Sequence, residues 1–266
     1  MDSFSLLNIA GLVPDSRPSK VPYMKSLLHS RKPLFHALTE TWLYSSHQQA
    51  EYEVEGYTFF KHDRNRVKHK GKRASGGVGV YIRDDIATTA EKTLTFSNGF
   101  ADGLVVTVKS IGLEIIVIYR SEPEDRSTAD TTFSPLLTKI RSYLNALPSP
   151  TPDIILLGDP NLPNAIWDSG DALPHASTVE KKMINDLFSL ASDFFLVQQI
   201  DAPTHCKGNQ LDVVFTNNCH LVVHTEISPC PRSDHFLIDN YVASNSPRAL
   251  VSSDEPPPPP RRLLET

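Results

Sequence analysis

Cysteine is scarce in this chain of 266 residues: three are spread wide, at Cys206, Cys219 and Cys230, and no two form a CxxC pair. An odd, scattered set gives no disulfide framework and no closed zinc site, and makes a reducing compartment the default. Long apolar runs are missing too. The longest span about five residues, whereas a membrane helix needs about 20. The start, Met1-Asp2-Ser3-Phe4, lacks the basic flank of a secretory leader. A chain that is nuclear or cytoplasmic, not secreted and not in a membrane is expected. Nor is there an excess of positive charge: the net −5 does not advertise a nucleic-acid binder.

The distribution of charge says more. Arg64, Arg66, Lys68, Lys70, Lys72 and Arg73 fall within one short stretch that contains no acid. The rest of the chain is then more acidic still and would repel a polyanion, so this stretch would have to offset that locally. A solvated loop, a loop that tracks phosphates and a nuclear-import signal all fit it. Hydrophobic content of 39% and charged content of 21% suit a globular domain. That domain is expected over residues 1–243. Beyond it, five prolines (Pro256 to Pro260) and Arg261-Arg262 read as a polyproline-type tail or linker over 244–266.

Along the chain, strands are predicted at 4–9, 34–38, 57–60, 78–82, 104–108, 113–119, 154–157, 211–215, 221–223 and 236–242. The spacing predicts helices over 18–30, 133–147 and 178–192. Ile111-Gly112 stands near a hairpin turn. Strands outnumber helices, and they come both as hairpins and as strand–helix–strand units. This implies an α/β protein of two packed sheets with helices outside.

Several polar residues sit at predicted strand ends: Asn8, Glu40, Tyr119-Arg120, and Asp159 with Asn161. The Gly158-Asp159-Pro160-Asn161 segment follows the apolar run Ile154 to Leu157. Alone it reads as an ordinary turn that stops the strand. It also leaves a carboxylate and a carboxamide where open α/β sheets place their chemistry. Asn8, Glu40 and Asp234 have equally plain readings as turn or strand-end residues. Asp212 is harder to dismiss, because a carboxylate inside an apolar strand is costly without a partner. His235 is the obvious partner, and the pair would hold the imidazole oriented and cationic.

Taken in order, these segments resemble the endonuclease/exonuclease/phosphatase family, and most closely the endonuclease domain of non-LTR (LINE-type) retrotransposons. The matching segments are Asn8-Ile9-Ala10-Gly11-Leu12, Thr39-Glu40-Thr41-Trp42-Leu43, Gly76-Gly77-Val78, Tyr119-Arg120, Gly158-Asp159-x-Asn161, Leu211-Asp212-x-x-Phe215 and Ser233-Asp234-His235. The resemblance covers about residues 4 to 243. It implies a DNase I-like α/β/β/α sandwich and Mg²⁺-dependent (or Mn²⁺-dependent) nicking of one DNA strand. In that scheme Glu40, Asn8 and Asp234 hold the metal, and Asp159 aligns and deprotonates the attacking water. Asn161, Tyr119 and His235 donate to the scissile phosphate, and Asp212 orients His235. Arg64, Arg66, Lys68, Lys70, Lys72, Arg73 and Arg120 contact DNA, and a reverse transcriptase domain is an implied partner in a longer parent protein.

Two positions depart from the family pattern. Pro160 stands where an aromatic residue is usual, and proline withdraws an N–H beside Asp159. Ser121-Glu122 stands where prolines usually follow Tyr-Arg, and Glu122 adds a negative charge. Pro160→Phe is therefore expected to raise activity. The departures keep open a non-catalytic nucleic-acid-binding remnant, beside a small-molecule or abasic-site phosphoesterase of the same fold.

Overall fold

The run Leu113–Arg120 is buried at every position, and its neighbours explain why. Ile115, Val117 and Tyr119 face one apolar cluster, while Ile116 and Ile118 face another. A strand covered on both faces reads as continuous hydrophobic sequence, without polar alternation. The computed structural model describes residues 2–14, 17–64, 76–121 and 130–243.

In chain order the elements are β1 (Ser3–Asn8), α1 (Val21–Arg31), β2 (Phe35–Thr39), β3 (Tyr57–His62), β4 (Val78–Arg83), α2 (Asp84–Ala87), β5 (Ala90–Ser97), β6 (Ala101–Val108) and β7 (Leu113–Arg120). Then follow α3 (Asp130–Asn145), β8 (Asp153–Asp159), β9 (Ala165–Ile166), β10 (Asp171–Ala172), α4 (Thr178–Asp193), β11 (Val197–Gln198), β12 (Val213–Thr216), β13 (Val222–Ser228) and β14 (Leu237–Val242). One six-stranded sheet runs β13-β14-β1-β2-β4-β3 and the other β11-β12-β8-β7-β6-β5, with β9 and β10 forming a small separate ribbon.

The inner faces of the two sheets meet in a core that includes Phe4, Leu6, Phe35 and Val80 from the first, and Leu104, Ile115, Val117, Ile155 and Leu157 from the second. Met24 and Leu28 of α1 cover Leu7 and Leu38 on the first sheet's outer face. Phe133, Leu136 and Ile140 of α3 and Ile184, Leu187 and Leu190 of α4 cover the second. The result is the expected four-layer α/β/β/α sandwich. Helix α4 starts where the Ser177 side chain accepts the N–H of Glu180, an N-cap.

Local corrections have physical reasons. β8 is not stopped by Gly158 but runs through it to Asp159, paired with Ile118 on one side and Val213 on the other. The β6–β7 turn is longer than Ile111-Gly112: a 3₁₀ turn over Lys109–Ile111 precedes Gly112 in the left-handed region. Asp212 lies just before β12 rather than inside a strand. The edge strand β5 escaped the sequence pattern because its residues are at most half-buried and its alternation is confined to Leu94 and Phe96, beyond a register shift at Lys92–Leu94. The 244–266 segment lies outside the described residues.

Candidate active site

The site is made by extending the inner-face core stripe of several strands by one polar position. Phe4 and Leu6 face the core in β1, and Asn8 is the next residue of that face. Ile115 and Val117 lead to Tyr119 in β7, and Ile155 and Leu157 lead to Asp159 in β8. Asp212 shares the face of Val214 in the same way. The parallel pairs β1–β2 (Asn8 beside Thr39) and β7–β8 (Tyr119 beside Asp159) bring these ends together at one rim of the sandwich.

Asn8 joins the sheets there. Its Nδ2 donates to Asp159 Oδ2 at 2.9 Å and to Glu40 Oε1 at 3.0 Å, while its Oδ1 accepts the N–H of Ala10 at 3.1 Å. The half-buried Glu40 also accepts from Trp42 Nε1 at 3.0 Å. Asp159 uses its two oxygens differently: Oδ1 accepts the N–H of Asn161 at 2.8 Å, closing a side-chain turn, and Oδ2 faces Asn8 and His235. His235 Nδ1 pairs with Asp212 Oδ2 at 2.8 Å, and its Nε2 stands 3.8 Å from Asp159 Oδ2. The Ser233 hydroxyl donates to the Asn8 carbonyl at 2.6 Å and docks the 233–235 turn onto β1.

Ala10, Glu40, Trp42 and Asn161 all hold positive φ, between 46° and 55°. Such backbone costs of order 1–3 kcal/mol per residue and concentrates at functional sites. It brings Glu40 round to Asn8 and lays the Trp42 ring over Gly11, where a Cβ would stand 2.4 Å from the ring.

The charges are unbalanced. Burial pushes the Asp159 carboxyl up to about 8, helped by Asp212 and Glu40 and opposed by His235 and Asn8. Burial also works against the His235 imidazolium, but Asp212 and Asp159 override it and raise the group to about 10. Burial and the charges of Glu40 and Asp159 hold the Tyr119 hydroxyl well above its usual range, so it stays a donor.

A bound divalent cation fits this set. The donors are hard oxygens, carboxylates crowd one another, and Asp212 Oδ1 is buried with no hydrogen-bond partner among the described residues. Glu40 is the accessible carboxylate, with Asn8 and Asp159 beside it.

Asn8, Glu40, Tyr119, Asp159, Asp212 and His235 are thus brought together. Asn161 is adjacent, its backbone N–H and carbonyl both engaged. Asp234 lies on the exposed side, its carboxylate 3.4 Å from His205 Nε2. Two arginines expected at DNA are placed otherwise. Arg120 is buried and donates to the carbonyls of Pro160 and Asn161, the former at 2.8 Å. Arg64 pairs with the buried Asp102 at 2.8 Å and lies over the Tyr119 ring at 5.3 Å. Both are spent on holding the site's walls. Arg66, Lys68, Lys70, Lys72, Arg73 and Glu122 lie outside the described residues. Sequence reasoning missed Thr204 and His205, which no local pattern marks, and gave Trp42 no separate role, although its place two residues after Glu40 was visible.

Fold and site together define an α/β/β/α sandwich whose facing sheet ends gather carboxylates around one imidazole. The model of the endonuclease/exonuclease/phosphatase family matches residues 17–235, and the chain belongs to that family. Among solved structures it is similar to the 3′ phosphatase NExo from Neisseria bound to product DNA hairpin, with 16% identity, a TM-score of 0.63, and 91% of this chain and 100% of that one covered. It is similar to an AP endonuclease from Archaeoglobus fulgidus, with 14% identity, a TM-score of 0.60, and 91% and 99% covered. The endonuclease domain of TRAS1, a telomere-specific non-LTR retrotransposon, matches with 12% identity, a TM-score of 0.56, and 91% and 97% covered. No curated protein matches the chain by sequence. Among the described residues no helix is long and apolar enough to cross a membrane.

Proposed function

We propose that this chain is a Mg²⁺-dependent phosphodiesterase that nicks one strand of DNA, of the retrotransposon type. The observation that carries the reading is the held Asp159 carboxylate: Asn161 N–H fixes one oxygen, Asn8 holds the other, and the Asp212-oriented His235 faces it. In the reaction Asp159, in its ionised form, takes the proton of the attacking water. Burial disfavours that form below about pH 8, and the charge of a bound cation would favour it. The Nε2–H of His235, the Asn161 amide and the Tyr119 hydroxyl donate to phosphoryl oxygens as charge grows there. Glu40, Asn8 and Asp234 would hold Mg²⁺, or Mn²⁺ in its place, which supplies charge neutralisation at the phosphate. The retrotransposon type rests on the resemblance of the Thr39-Glu40-Thr41-Trp42-Leu43 segment, in which Trp42 Nε1 holds Glu40. DNA as substrate, a reverse transcriptase domain in a longer parent and a nuclear or cytoplasmic location belong to the same reading.

Pro160 is compatible with this chemistry. The turn is closed by the N–H of Asn161, so the N–H that proline lacks is not the one used, and the Pro160 carbonyl serves Arg120. On this reading Pro160 does not itself impair the site. Pro160→Phe, expected from sequence to raise nicking, should instead leave its rate within about threefold of wild type, a change of under about 0.7 kcal/mol in barrier.

Plasmid relaxation with Mg²⁺ tests the function. Wild type should convert supercoiled to open-circular DNA, and Asp159→Ala should slow this by about 10²–10⁴-fold, the usual worth of a general base. Equal rates, or no nicking by wild type, would refute the reading. An abasic oligonucleotide and an inositol phosphate assayed in parallel separate it from the other activities of the fold.

A further inference from the structure

His205 lies between β11 and β12, outside every sequence motif. It is 7% exposed, its backbone bridges that of His235, and its ring meets the His235 ring edge-on with centroids 4.8 Å apart. The Cys206 N–H donates to the Asp234 carbonyl at 2.9 Å and the Phe236 N–H to the Thr204 carbonyl at 2.7 Å. The Thr204 hydroxyl accepts the N–H groups of both Leu211 and Asp212 at 3.0 Å. Thr204 and His205 therefore touch the whole Asp212–His235–Asp234 side of the site.

Ring chemistry decides what His205 does there. Its Nδ1 accepts the N–H of Lys207 at 3.2 Å, so the neutral ring carries its proton on Nε2. Nε2 faces Asp234 Oδ2 at 3.4 Å. Ligand atoms of His205, Asp234 and His235 lie within 4.8 Å of one another, a spacing that invites a second metal. The tautomer opposes that: a metal on Nε2 would move the proton to Nδ1, against the Lys207 N–H, donor facing donor. A hydrogen-bond donor to Asp234 remains. The Asp234 side chain is 59% exposed, and a donor on one side selects one of its rotamers.

We propose that His205 is a positioning residue that holds the Asp234 carboxylate through Nε2–H and so sets it for the metal. This rests on the proposed function only where Asp234 is taken as a ligand. His205→Phe keeps the ring against His235 and removes the donor; His205→Gln keeps an N–H donor at the place of Nε2. Crystal structures of wild type and both variants should show the Asp234 carboxylate turned to solvent in His205→Phe and held in the other two. Mn²⁺ titration followed by electron paramagnetic resonance should show about tenfold weaker binding in His205→Phe, as for other lost contacts behind a metal ligand, and near-wild-type binding in His205→Gln. An Asp234 unmoved in the folded Phe variant overturns the proposal, as does Mn²⁺ binding equal to wild type in that variant. So does a Gln variant that loses binding as the Phe variant does. Should wild type bind no Mn²⁺, the metal reading of the site falls, and the crystal structures alone decide whether His205 holds Asp234.

Discussion

A single side chain can serve a turn and a reaction when its two oxygens do different work. Asp159 closes the turn with Oδ1 and leaves Oδ2 to Asn8 and His235. The turn reading and the catalytic reading of Gly158-Asp159-Pro160-Asn161 are thus compatible in one geometry. The same logic makes Asp212 the control on His235. Asp212→Asn removes the charge that outweighs burial, so the His235 pKa should fall from about 10. Nuclear magnetic resonance titration of the His235 ring in both proteins checks this, and an unchanged midpoint would disprove the link. Nicking should drop on the order of a hundredfold, the lower range for a misplaced acid or base group.

At the scale of the element, the demanding position is Gly158. It sits inside β8 at φ 140°, and a Cβ there would stand 1.9 Å from the Ile118 carbonyl of β7. That oxygen belongs to a paired backbone and cannot swing aside as a flexible side chain could. Gly158→Ala must therefore separate β7 from β8 where Tyr119 and Asp159 stand side by side. We expect a loss of stability of about 2 kcal/mol or more, in the range of strained backbone positions. Urea unfolding measures it, and a change under about 0.5 kcal/mol, the scale of inconsequential surface substitutions, would contradict the account. Nicking should fall by a larger factor than in a variant of equal instability far from the rim.

At the scale of the molecule, His36 makes stability depend on pH. It is fully buried in β2, with Nδ1 2.6 Å from the Ser5 hydroxyl. Burial holds its imidazole down to about 3, with Arg31 adding to the effect, against about 6.5 in an unfolded chain. Between those values the unfolded state binds the proton and the native state does not. This contribution is therefore complete above about pH 6.5 and is lost as pH falls towards 3, by about 1.4 kcal/mol per pH unit. Thermal midpoints should fall from pH 7 to pH 5 in wild type and fall less in His36→Asn. The paired comparison is needed because Asp239, pushed up by burial, works in the opposite direction. Equal slopes in the two proteins would remove His36 from the explanation.

Strand and helix positions along β1, β7, β8 and α4 were legible in the sequence, because burial on two faces or on one stripe leaves apolar runs with a readable period. The polar residue that ends each inner stripe was legible for the same reason: Asn8, Tyr119 and Asp159 keep the parity of the core residues before them. Edge strand β5 and the short strands were not, since they are brief or only half-buried, and in β5 the alternation is limited to Leu94 and Phe96. Nor could sequence say that Arg64 and Arg120 are spent inside the walls, or that Thr204 and His205 support the imidazole. Those assignments depend on which loops from distant parts of the chain meet, and no local period encodes such contacts. By itself the sequence determined the layers, the polar residues at the strand ends and the acidic excess, all consequences of local patterning. Only the tertiary structure decided which oxygen of Asp159 closes the turn, which faces Asn8 and His235, and which arginines are used up, because these depend on the distances between two sheets.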